Sequence, residues 1–152
     1  MDKIDLKILS LLQKNARITA SEISSSINLS IPACSERLKK LEQSGVIKQY
    51  TAIVDCKHLN KFLTAFMFIS LERPRFTEQF IQKINMEADI LECHYLAGDF
   101  DYLLKIITDN TDTLEELLQR IKSVQGVQKT RTIVVLSTVK NDYSISLEDL
   151  AK

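Results

Sequence analysis

Apolar positions near the start of the chain recur at three- and four-residue spacing, the period of a helix with one buried face. Ile4, Ile8, Leu11 and Leu12, widened by Leu6 and Leu9, form the first stripe, and Asp2 stands where an N-cap belongs. Thr19-Ala-Ser-Glu22 is a capping box, in which a hydroxyl and a carboxylate three residues on satisfy each other's orphan amides. Ala20, Ile23 and Ile27 follow as one stripe, and Asn28 closes it, since Asn tolerates the left-handed conformation of a C-cap. Ser30 caps the next helix, Pro32 falls in its first turn, Cys34, Leu38 and Leu41 are its inward positions, and Gly45 stops it. Val46, Ile47, Tyr50, Ile53 and Val54 are β-formers, read either as a two-stranded wing or as a single strand leading away.

From Thr64 the period changes. The strand TAFMFISLER is apolar on both faces, and Pro74 separates it from a helix bearing Phe76, Phe80, Ile81 and Ile84. Ile90 to Ala97 and Tyr102 to Thr108 read as a hairpin around the turn Gly98 to Asp101. Asp112-x-x-Glu115 predicts the cap of a helix with Leu114, Leu117, Leu118, Ile121 and Val124 inward, Gly126 ends it, and Lys129 to Val139 predicts a fourth strand. In the polar tail from Lys140, Ile145, Leu147 and Leu150 are able to dock.

These elements predict an α+β protein. A helix-turn-helix (winged-helix-like) domain over 1–54 is joined by a hinge at 55–63 to a ferredoxin-like βαββαβ domain over 64–152. Two helices cover only one face of such a sheet. The apolar second face predicts packing on the same face of a second copy, a two-fold dimer carrying two DNA-reading units.

Net charge is zero over 152 residues, which at first argues against a nucleic-acid partner. The distribution changes this: residues 1–60 carry nine Lys and Arg against six Asp and Glu, a net +3, and the remainder is net −3. Double-stranded DNA is therefore the expected partner of the N-terminal part, with several copies raising a modest single-copy affinity. In the second helix of the motif, Ser30, Pro32, Ser35, Glu36 and Arg37 are placed to meet bases; Lys39, Lys40, Lys48 and Arg17 are placed to meet phosphates. Arg37 is read as an exposed side chain whose truncation leaves the fold intact.

Three widely spaced cysteines without a CxxC argue for a reducing compartment. The start, MDKIDLKIL, reads as an acidic helix rather than a signal peptide, and no apolar run is long enough to span a membrane. The expected location is therefore the cytoplasm, in association with the nucleoid. Cys93-His94 and Cys56-x-His58 lack zinc-site spacing, and Asp99, Asp101 and Glu92 offer few oxygens for a hard cation. No metal, no cofactor and no catalytic activity are expected. The reading in which the C-terminal part is the regulatory module of a separate enzyme is distinguished by DNA binding.

Asp5-x-x-Ile8-Leu9, Leu29-Ser30, Cys34-x-x-Arg37-Leu38-x-x-Leu41-Glu42-x-x-Gly45-Val46-Ile47 and Gly98-x-x-Asp101-Tyr102-x-Leu104 occur in an order and spacing that resemble the Lrp/AsnC (leucine-responsive/asparagine-responsive, feast/famine) transcriptional regulators over nearly the whole chain. The resemblance implies a DNA-binding regulator that senses an amino acid and assembles as dimers, tetramers or octamers. It places the effector near Leu96, Gly98, Asp99, Phe100 and Asp101, with amides beside Gly98 meeting the α-carboxylate and Asp99 or Asp101 the α-ammonium. Ser137, late in the last expected strand, then helps select the side chain. Two departures stand out: Ala97 replaces a common Thr or Ser, and Phe100 narrows the turn. The alternative of the same fold is an architectural DNA-compacting protein with no effector.

Overall fold

The computed structural model describes residues 1–147. The chain forms two compact units, one comprising Met1–Ile53 with the tail from Lys140, the other Val54–Val139.

In the first unit, α1 (Lys3–Lys14) begins at Asp2, whose carboxylate accepts from the Ile4 and Asp5 amides while the Asp5 carboxylate accepts from the Asp2 amide. The capping box at Thr19 and Glu22 starts α2 (Ala20–Ile27), and Asn28 ends it at φ 55°. Ser30 caps α3 (Ile31–Gln43), with Pro32 in the first turn. Ile8, Ile23, Cys34 and Leu41 are buried together, and Leu11, Leu12, Leu38 and Ile47 pack against them. This is the three-helix core that the spacing predicts.

Two differences follow. Among the described residues, neither a wing nor an exit strand forms at Val46–Val54: the segment is irregular, tied back by the Ile47 amide to the Leu41 carbonyl and by the Tyr50 hydroxyl to Glu42. Its β-forming residues lack a partner strand here, and a lone strand leaves its amides unpaired. The tail also belongs to this unit rather than to the C-terminal one. Gln13 donates from Nε2 to the Ile145 carbonyl at 3.1 Å and accepts from the Ile145 amide at 2.7 Å. Ile145 and Leu147 thus line a groove of about 600 Å³ with Leu9, Leu12, Tyr50 and Ile53. Leu150 lies outside the described residues.

The second unit is a four-stranded antiparallel sheet in the order β2-β3-β1-β4. Its strands are β1 (Leu63–Leu71), β2 (Ile90–Tyr95), β3 (Tyr102–Thr108) and β4 (Val127–Val134). One face buries Ala65, Met67 and Ile69 of β1 and Leu104 and Ile106 of β3. Onto it pack Phe80 and Ile84 of α4 (Thr77–Ile84) and Leu114, Leu117 and Ile121 of α5 (Thr111–Lys122). The opposite face carries Phe66, Phe68, Leu103 and Ile107, all half-buried, with Ile133 exposed. The α+β architecture and the ferredoxin-like order are as expected.

Three local expectations are corrected. Asn110, not Asp112, caps α5: its extended backbone lets Oδ1 reach the Asp112 and Thr113 amides, and Thr113 completes the box. β4 ends at Val134, five residues before Val139. The segment read as a hinge, 55–63, is folded into this unit. Its short turn Cys56–Leu59 closes on Asn60 at φ 59°, and the Lys61 ammonium lies 2.7 Å from Asp89 and 2.9 Å from Asp109.

Candidate functional site

Because α3 buries Cys34 and Leu41 and packs Leu38 against them, its opposite surface is set by geometry. Pro32, Ser35, Glu36, Lys39, Lys40 and Gln43 are exposed. Pro32, Glu36, Lys39 and Gln43 fall at four-, three- and four-residue steps, one continuous ridge away from the core. Gln43 is missing from the sequence-derived set, although the same spacing extended by one turn reaches it. Its amide offers donor and acceptor together, as bidentate reading of adenine requires. The Glu36 carboxylate accepts from Lys40 at 2.8 Å, which lowers its pKa and neutralises part of the ridge. Ser30 spends its hydroxyl on the cap, accepting from the Ala33 amide at 3.4 Å. Arg17 and Lys48 are exposed, on the loop before α2 and on the segment after Gly45.

Arg37 is corrected from an exposed helical side chain to a brace. Its Nη1 donates to Asp2 Oδ2 and Asp5 Oδ1, both at 2.7 Å, with side-chain exposures of 31% for Arg37 and 16% for Asp5. It lies on the side of α3 that faces α1, because position 37 is one turn from both Ala33 and Leu41. The hydrogen bond that Arg37 donates to Asp2 raises the Arg37 pKa, and the Asp2 carboxyl is held down by the Asp5 amide first and by Arg37 second.

The second candidate site is the β2–β3 turn. Phe68, Leu96, Gly98, Asp99, Phe100 and Arg131 surround a concavity of about 310 Å³, with Ala97 at its edge. Phe68 and Phe100 pack with ring centres 5.4 Å apart, and the Lys129 ammonium sits 5.2 Å above the Phe100 ring. Gly98 lies outside the left-handed region, and a Cβ built there meets nothing within 4 Å. Its backbone is therefore open to an approaching group rather than required by the turn.

Two of the expected effector residues are not in this concavity. Asp101 turns inward: its Oδ2 accepts from the Leu71 amide at 2.7 Å, and its own amide donates to the Ile69 carbonyl at 2.8 Å. It faces the small hollow beside Leu71, Arg73 and Tyr95 instead. A carboxylate with an adjacent uncapped strand-end amide takes that amide first. Ser137 lies three residues beyond the end of β4, exposed, and does not line the concavity. Conversely, Phe68 and Arg131 were missed. They are cross-strand partners on β1 and β4, in a pairing that local spacing does not reveal.

Cys93 and His94 pair with Leu104 and Leu103 respectively, and so point to opposite faces. His94 and Lys105 both reach Glu92, at 3.0 and 2.7 Å, which depresses the Glu92 pKa, chiefly through Lys105. Among the described residues no three His, Cys, Asp or Glu side chains converge as a metal set, and no helix is long and apolar enough to cross a membrane.

Comparison with known proteins matches both units. The winged helix-turn-helix DNA-binding family covers residues 1–48, and the Lrp/AsnC ligand binding domain covers residues 64–145. The leucine-responsive regulatory proteins of Klebsiella pneumoniae and Escherichia coli K12 are each 40% identical over 151 residues, covering 97% of this chain and 92% of theirs. A transcriptional regulator of Neisseria meningitidis, solved in complex with L-methionine, is 34% identical with a TM-score of 0.93, covering 99% of each chain. LrpC of B. subtilis is 31% identical with a TM-score of 0.84, over 92% of this chain and 97% of its own. A winged helix-turn-helix match and an Lrp/AsnC ligand binding domain match in one chain, with relatives 40% identical over 97% of it, place this chain in the Lrp/AsnC family of DNA-binding transcriptional regulators.

Proposed function

We propose that this protein reads an operator through the outer ridge of α3 and adjusts its DNA affinity or assembly when an amino acid occupies the β2–β3 turn. The observation that carries the reading is the pair of exposed, chemically distinct surfaces: the Pro32, Ser35, Glu36, Lys39 and Gln43 ridge, and the concavity over Gly98. Ser30 and Pro32 set the first turn against the groove; Lys39, Lys40, Lys48 and Arg17 meet phosphates. Arg37 acts behind them by holding α3 on α1.

The amino-acid class is supported by the L-methionine complex of the Neisseria meningitidis relative and by the leucine-responsive names of the curated relatives. Within the site, Asp99 takes the ammonium, and Phe68, Leu96 and Phe100 offer apolar contact. The sheet face bearing Phe66, Phe68, Leu103, Ile107 and Ile133 supports a homodimer, and higher assemblies from it. Such a regulator works in the cytoplasm, on the nucleoid, and needs no catalytic residue.

The test is a thermal-shift screen of the full chain against the twenty amino acids, followed by gel-shift titration on a selected operator with and without the hit. A ligand at 100 times its Kd adds about 2.7 kcal/mol to the folded state. A hit that also changes operator affinity supports the sensor. DNA binding with no hit supports the effector-free, DNA-compacting alternative.

A further inference from the structure

We infer that Arg131 is the carboxylate anchor of the effector site, and that Asp99 and Arg131 together orient a zwitterionic amino acid with its side chain on Phe68, Leu96 and Phe100. The inference rests on the amino-acid reading above and goes further by assigning the two charged poles.

Three observations carry it. Asp99 and Arg131 line the same concavity from different elements, the turn and β4. Among the described residues, neither the Asp99 carboxylate nor the Arg131 guanidinium makes an ion pair or hydrogen bond, whereas the other acid of the turn, Asp101, is committed to the Leu71 amide. Two opposite charges on one apolar-walled hollow, each without a protein partner, are complementary to a ligand that carries both. Lys129 is two residues from Arg131 on the same face of β4, but its ammonium lies over the Phe100 ring. Lys129 therefore shapes the wall, and Arg131 faces the ligand.

Chemistry favours arginine for this task. The planar guanidinium offers two parallel N–H donors that match both oxygens of a carboxylate; an ammonium offers a point charge. The antiparallel register pairs Arg131 with Phe68, so the anchor stands beside the ring that faces Phe100. An α-amino acid then bridges from Arg131 to Asp99 with its side chain directed onto the aromatic pair. A diamine, a dicarboxylate or an uncharged ligand leaves one pole unmatched.

The test uses calorimetry on the full-length protein with L-leucine, L-methionine and any stronger hit from the twenty-amino-acid screen. Each is compared with its α-amide, which keeps the ammonium and loses the carboxylate. We expect the amide to bind wild type about 10- to 100-fold more weakly, the range of a lost charge-assisted hydrogen bond. Arg131→Ala should weaken the amino acid by a similar factor but leave the amide unchanged, and Arg131→Lys should recover part of the loss. Asp99→Asn should weaken both ligands alike, since both carry the ammonium. An amino acid that binds wild type and Arg131→Ala equally overturns the anchor while leaving the sensor reading intact. Equal loss for acid and amide in Arg131→Ala also overturns it, by assigning Arg131 a merely structural role. Absence of any amino-acid binding to wild type overturns both this inference and the reading on which it rests.

Discussion

Arg37 Nη1 lies 2.7 Å from Asp5 Oδ1, which ties the middle of α3 to the first turn of α1. The same nitrogen reaches Asp2, the residue that caps α1. One guanidinium thus stabilises a helix start and sets the position of α3.

Arg37→Ala should therefore lower the melting midpoint of the N-terminal unit and weaken DNA binding through it. Its effect on the midpoint should exceed that of Lys39→Ala, a solvated side chain on the outer ridge. Operator affinity of Arg37→Ala should recover on cooling below the midpoint, whereas the loss in Lys39→Ala should persist at every temperature. Differential scanning calorimetry and gel-shift titrations at two temperatures separate the roles.

Lys39→Ala should reduce the slope of log affinity against log salt by about 1, the signature of one lost phosphate contact. Gln43→Ala should leave that slope unchanged and reduce discrimination between operator and random DNA, by about 1–3 kcal/mol if it reads a base pair bidentately. Fluorescence-anisotropy titrations from 50 to 300 mM salt measure both quantities.

Gly126 and Gly98 should respond oppositely to alanine. Gly126 has φ 91°, and a Cβ there would fall within the Phe76 side chain. Gly126→Ala should cost about 2–5 kcal/mol, combining left-handed strain with overpacking. Gly98→Ala should cost less than about 0.5 kcal/mol, since neither φ nor a neighbour opposes it. Its effect should fall on effector binding instead. Urea denaturation gives the first comparison and calorimetry the second.

The Tyr50 hydroxyl donates to Glu42 at 2.9 Å, and burial, then the neighbouring carboxylate, pushes its pKa up to about 12. The folded state thus holds this proton more tightly than the unfolded one. Its stabilising contribution is complete below pH 10, the ordinary tyrosine value, and is lost as pH rises towards 12. Absorbance titration at 295 nm should show a late phenolate step that Tyr50→Phe removes. Loss of a step at the ordinary tyrosine value of 10, rather than of a late one, would contradict the Tyr50–Glu42 contact.

Acid should act through Glu92, whose carboxyl is held below its ordinary value, first by Lys105 and then by His94. Here the unfolded state binds the proton more readily, so the contribution is present above the ordinary glutamate range and fades as pH falls through the depressed value. Glu92→Gln should flatten the dependence of the melting midpoint on pH between about 3 and 5.

The two-helix motif was legible because its signals are local. Thr19 and Glu22 are three residues apart, the caps at Asp2 and Ser30 accept from amides within one turn, and the Asn28 amide donates to the Ser24 carbonyl four residues back. Where two capping residues compete locally, reading is harder: Asp112 resembles a cap, but the backbone at Asn110 is the extended one. The β-forming run after Gly45 was misleading for another reason. A strand exists only when a neighbour takes its hydrogen bonds, and among the described residues none does.

The sequence by itself determined the element order, the caps of α1 to α3, the inward stripes of α1 to α5 and the alternating strands, because side-chain periodicity and capping chemistry operate within a few residues. Tertiary structure alone decided which charged groups remain available. Arg37 is claimed by Asp5, thirty-two positions away, and Asp101 by the Leu71 amide, thirty positions away. Arg131 is carried to the Gly98 turn by the pairing of β4 with β1. Those outcomes depend on strand register and helix packing, which bring distant side chains within hydrogen-bond reach and leave others open to a ligand.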